Sequence, residues 1–91
     1  MPTISIFYGI AIRTYFKDLA PPHFHALYSG YEAPFDISTG EIIKGTMPPV
    51  SVRLVKEWCE RHRAELLENW RRRERGVVLE RIPGLGAEQS D

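Results

Sequence analysis

Polar and apolar residues alternate along the first half of the chain, and the period changes in the second half. Thr3-Ile-Ser-Ile-Phe-Tyr8 alternates with Ile4 and Ile6 on one side and Thr3 and Ser5 on the other, which predicts a strand closed by Gly9. Residues 10–16 predict a second strand, with Ile10, Ile12 and Phe16 on its apolar face and Ala11, Arg13 and Tyr15 opposite. Pro21-Pro22 ends the next loop, because proline fixes its own φ and gives no N–H to a ladder. A third strand over 23–28 turns Phe24, Ala26 and Tyr28 one way and His23, His25 and Leu27 the other. After the turn signal Ser29-Gly30, a fourth strand over 31–37 sets Tyr31, Ala33, Phe35 and Ile37 against Glu32, Pro34 and Asp36. Pro34 marks that strand as an edge or a bulged strand. Residues 41–44 predict a short fifth strand.

From Val50 the period is helical. Residues 50–75 contain no Gly or Pro, and Pro48-Pro49 suit a helix entry. Leu54, Val55, Trp58, Cys59, His62, Leu66 and Trp70 form one stripe. Glu57 with Arg61, and Glu68 with Arg72, are i, i+4 pairs in the favourable order. Gly76 is a stop, residues 77–82 read as a last short strand or an extended arm, and 83–91 read as a disordered tail. The expected fold class is α+β: an antiparallel meander of four to five strands followed by one long C-terminal helix packed on one face. Short strands with tight turns leave no room for parallel crossovers. A single domain spans 1–82.

The expected core face carries Ile10, Ile12, Phe16, Phe24, Ala26, Tyr28, Phe35 and Ile37. The opposite face carries Arg13, Tyr15, His23, His25, Glu32 and Asp36. Adjacent strands would gather these six polar side chains into one patch, provided the register holds. His62 lies on the helix stripe and reads as a core histidine bonded to sheet backbone or to a tyrosine hydroxyl.

Charge changes the picture by what it removes. The chain has 91 residues, with 12 Lys and Arg against 12 Asp and Glu. Zero net charge gives no global attraction to nucleic acid or membrane, so any such contact needs a local patch. Arg71-Arg72-Arg73 is the basic run available, and it reads either as a solvated helix end or as phosphate-contacting residues. The single cysteine, Cys59, excludes an internal disulfide and fits a reducing compartment. The start, Met1-Pro2-Thr3-Ile4, lacks the pattern of a signal peptide, and no apolar run suffices for a membrane helix, so the expected location is the cytoplasm.

Three chemistries fit the polar face. Two histidines and a carboxylate are a familiar metal-ligand set, but local spacing fixes no third ligand, so neither metal nor cofactor is assigned. Histidines can instead move protons in phosphodiester cleavage, with Arg13 or Tyr15 supporting the phosphate. The same residues also suit a non-catalytic protein interface.

Phe7-Tyr8-Gly9-Ile10, Tyr15-Phe16-Lys17-Asp18, Pro21-Pro22-His23-Phe24-His25-Ala26, Gly40-Glu41, Glu57-Trp58-Cys59-Glu60-Arg61-His62-Arg63 and Glu65-Leu66-Leu67-Glu68-Asn69-Trp70 resemble a small bacterial family, domain of unknown function 4160. The resemblance runs from about Met1 to Ile82. It departs at Lys17 and Leu19, where a more polar pair such as Asn and His is expected. The resemblance implies a compact bacterial protein whose gene sits in a toxin–antitoxin-like pair beside a second small protein. Together with the polar face, it makes the leading expectation a toxin–antitoxin-like component. That component would be a metal-independent endoribonuclease with His23, His25, Arg13 and Tyr15 as catalytic residues. Glu32, Asp36, Arg71, Arg72 and Arg73 would be its binding residues. The alternatives are a non-catalytic protein-binding or regulatory module and a metal-binding domain. The partner would be a small cognate protein or a second copy, with RNA as a further ligand.

Overall fold

The structure, a computed structural model, describes residues 3–87. Four strands, β1 (Thr3–Phe7), β2 (Ile10–Arg13), β3 (His23–Tyr28) and β4 (Tyr31–Asp36), form one antiparallel sheet in the order β1-β2-β3-β4. Two helices follow, α1 (Pro49–Arg61) and α2 (Arg63–Glu74). The fold is an α+β meander with a helical cover, as the alternation predicts. The hairpins β1–β2 and β3–β4 close on two-residue turns, Tyr8-Gly9 and Ser29-Gly30. Both residues of each turn have positive φ, the geometry whose twist matches the flanking strands.

The core lies between the sheet and the helices. Ile10, Ile12, Phe24, Ala26, Ala33 and Phe35 face it from the sheet, and Val55, Trp58 and Cys59 from α1, all without solvent contact. Trp58 is the hub. Its ring meets Phe24 edge-on at 5.7 Å and Phe7 at 5.3 Å, and its Nε1–H donates to the Pro83 carbonyl at 2.8 Å. Leu66 and Trp70 extend the same buried stripe into α2.

Several expectations are corrected. One long helix is replaced by two, broken at His62, whose φ of −123° and ψ of 25° leave the helical region. A straight helix over 50–75 would run about 39 Å, past the molecule's longest extent of 37 Å. The break ends α1 at Arg61, and α2 begins at Arg63. His62 is buried as expected, but its Nδ1 partners Glu65, and its ring packs on Trp58 at 5.6 Å. The fifth strand shrinks to a single bridge, Ile42 to Phe35. On that edge Pro34 accepts a bond from the Ile43 N–H but has none to give.

β2 ends at Arg13, so Phe16 leaves the core face and is 44% exposed. Continued in the same register, Phe16 would stand opposite Pro22, which offers no donor to the ladder. In β1 the register shifts between Thr3 and Ser5. That bulge buries Ser5 beside Ile4 and turns Ile6 outward.

After Gly76 the chain is an extended arm. The buried Asn69 side chain clamps it by bonding both the carbonyl and the N–H of Glu80 at 2.8 Å. The Ile82 N–H then donates to the Ile4 carbonyl, so the arm lies along the outer edge of β1 and covers it. Gly84 is required there, because a Cβ would come within 2.7 Å of the Ile6 carbonyl oxygen. The expected tail from residue 83 is thus packed through Leu85, and 88–91 lie outside the described residues.

Candidate functional site

β2, β3 and β4 place the polar residues where the alternation puts them. Arg13 is the cross-strand partner of His25, and His23 is the partner of Asp36. His23 and His25 project from the face opposite Phe24, with ring centroids 5.2 Å apart. Glu32 lies diagonally across from His25, within reach of it.

Asp18, absent from the expected site residues, organises the cluster. Its Oδ2 lies 3.2 Å from His23 Nε2 and 3.2 Å from His25 Nε2. The far nitrogens are also held. His23 Nδ1 is 2.8 Å from the Pro21 carbonyl, and His25 Nδ1 is 3.4 Å from Glu32 Oε2. The Tyr15 hydroxyl donates to the same Glu32 oxygen at 3.0 Å, and its ring meets His25 edge-on at 4.5 Å. Burial, then the Glu32 hydrogen bond and charge, raise the Tyr15 pKa above its usual value, against a lowering by Arg13. Tyr15 therefore stays a donor that holds Glu32 in place. The side chains of His23, His25 and Asp18 are between 13% and 19% exposed, so the cluster is half-sunk yet open to solvent.

Elements remote in sequence complete the site. Trp70 of α2 packs on the His23 ring at 5.3 Å. Arg73 lies over Trp70, with Cζ 3.7 Å from the ring. Its Nη1 donates to the carbonyls of Phe16 and Asp18 at 3.0 and 2.8 Å. The last turn of α2 thus fixes the loop that delivers Asp18.

The other expected binding residues are engaged differently, Asp36 beside His23 and the arginines on α2. Asp36 accepts from the N–H and hydroxyl of Ser38, bonds that hold its pKa below the usual carboxylate value. Arg72 bonds the Val78 carbonyl and pairs with Glu68 and Glu80. Arg71 points to solvent beside Glu68, and Arg73 is buried. The three arginines therefore do not form one surface. The sequence carried one sign of Asp18: it is an acidic residue at the start of the loop that leads into the two prolines and the His-x-His strand. Arg73 is expected from the sequence as a binding residue, not as the anchor of this loop, and nothing in the sequence marks the contact of Trp70 with His23.

An antiparallel meander with a two-helix cover and a histidine–carboxylate cluster on its open face defines a small α+β domain. The chain belongs to the family described as Domain of unknown function (DUF4160), whose model matches residues 9–71. The match takes in Arg13, Tyr15, Asp18, His23, His25, Glu32 and Trp70. Arg73 and the C-terminal arm fall beyond it. Neither a curated protein nor a solved structure matches the chain.

Proposed function

We propose that this protein is the active component of a toxin–antitoxin-like pair and cleaves RNA at the His23–His25 cluster. The observation that supports this reading is the convergence of two imidazole Nε2 atoms on one anionic oxygen, beside Tyr15 and Arg13. Such a cradle suits a phosphodiester. One imidazole takes the proton from the attacking 2′-hydroxyl, the other protonates the leaving 5′-oxygen, and Arg13 balances charge on the phosphate. Each ring is engaged at both nitrogens, so an entering phosphate takes the place of the Asp18 carboxylate between them. The protein works in the cytoplasm beside a small cognate partner or a second copy. Among the described residues, no helix is long and apolar enough to cross a membrane. The test is the double variant H23A/H25A, assayed for RNA cleavage and growth arrest. Loss of both is expected, and retained activity would overturn the assignment.

A second reading is a non-catalytic docking module. Its support is the loop beside the cluster, which exposes Phe16 at 44% and Leu19 at 81%. Co-purification with the neighbouring gene product, with no turnover of RNA, would favour it.

A further inference from the structure

We propose that His23 Nε2, His25 Nε2 and an Asp18 carboxylate oxygen form a binding site for a divalent transition-metal ion of the zinc type. The polarity of the hydrogen bonds leads there. A carbonyl oxygen only accepts, so the contact from His23 Nδ1 to the Pro21 oxygen at 2.8 Å places a proton on Nδ1. In the neutral ring the lone pair is then on Nε2, aimed at Asp18 Oδ2 from 3.2 Å. His25 Nε2 hydrogen-bonds the same oxygen at 3.2 Å, with the carboxylate accepting. The three ligand atoms all lie within 4.8 Å of one another. A cation bound between the three atoms would displace the proton that His25 shares with Asp18 and send it to Nδ1, which faces Glu32.

The spacing fits a metal. With metal–ligand bonds of about 2.0–2.1 Å, ligand atoms at the corners of a tetrahedron lie about 3.3 Å apart. The two measured separations from Asp18 are 3.2 Å. Two imidazoles with one carboxylate favour Zn, Co, Ni or Fe(II) over Mg or Ca, which prefer all-oxygen shells.

The surroundings are those of a supported site. A metal-bound histidine normally gives its other N–H to a carbonyl or carboxylate, which fixes the ring and its tautomer. His23 has the Pro21 carbonyl in that place, and His25 has Glu32, itself held by the Tyr15 hydroxyl. Arg73 grips the Asp18 carbonyl, which fixes the backbone of the third ligand. Three protein ligands leave a position for water, the arrangement of catalytic rather than structural zinc. A metal held by both Nε2 atoms occupies the lone pairs that the acid–base mechanism above uses, so this inference competes with that mechanism at the same residues and does not depend on RNA being the substrate.

The experiment uses the untagged full chain, stripped with chelator and titrated with Zn²⁺ and, separately, Co²⁺. Calorimetry should show one equivalent bound, and Co²⁺ should give visible bands that Zn²⁺ abolishes. H25Q and D18N should each lose affinity by more than about tenfold, and E32Q by about tenfold, the usual size of an outer-partner loss. Near-UV circular dichroism of the tryptophans checks that each variant is folded. Should D18N fail to fold, E32Q carries the test, since Glu32 is 46% exposed. No uptake by the wild type, or uptake unchanged in H25Q and E32Q, would overturn the site. RNA cleavage that survives chelation without metal uptake removes the metal and keeps the RNA reading. Metal uptake without RNA cleavage does the reverse.

Discussion

On one face of β3, Phe24 and Ala26 are sealed against Phe35 and Trp58 with no solvent contact. On the other, His23 and His25 keep 13% and 18% of their side-chain surface and meet a loop and a distant helix. The two faces alternate residue by residue along the same six-residue strand. The first is held by apolar area, which any well-shaped hydrophobic neighbour supplies. The second is held by directed contacts, each needing a particular atom in a particular place. A strand can therefore serve as core and as working surface at once, with the core side setting the register on which the polar side depends.

The largest expected break in this comparison is Phe24→Ala. Loss of the ring from a closed core costs about 3–5 kcal/mol, read as a lowered midpoint in urea unfolding. His25→Ala, one residue away, should cost only about 1 kcal/mol, since it removes partly exposed polar contacts. Equal losses would mean that the polar face is structural as well.

Arg73→Ala comes next. It leaves the carbonyls of Phe16 and Asp18 without their guanidinium and removes the stack on Trp70. A loss of about 2 kcal/mol is expected. NMR resonances of the His23 and His25 rings should also move as Asp18 loosens. Arg73→Lys, with one compact donor group, should restore part of both effects. Ring resonances that stay unchanged in Arg73→Ala would uncouple α2 from the site.

Ser38→Ala sharpens the comparison at the rim, with the smallest effect. Ser38 is the main cause of the depressed Asp36 pKa. A carboxyl depressed in the folded state stabilises fully above its unfolded value of about 3.9, and that contribution disappears as pH falls through the lower folded value. The variant should therefore be less stable than wild type at neutral pH, by about 0.5–1 kcal/mol. The gap should close as pH falls through the lowered folded value of Asp36. A gap independent of pH would assign the Ser38 contribution to something other than Asp36.

The alternation of residues 3–37 was enough to place three of the four strands nearly to the residue and to sort His23, His25, Arg13 and Glu32 onto one face. Side-chain direction in a strand follows from sequence position alone once one face is apolar. The stripe from Val55 to Trp70 was legible for the same reason, through the helical period. The break at His62, the bulge in β1, the arm clamped by Asn69 and the place of Asp18 belong to the tertiary structure. Each depends on groups far apart in the chain: Asn69 with Glu80, Ile82 with Ile4, Arg73 with Phe16 and Asp18. Local patterning shows which way a side chain points. What it meets there is decided by where helices end and loops return, and the cluster of His23, His25 and Asp18 exists only at that second level.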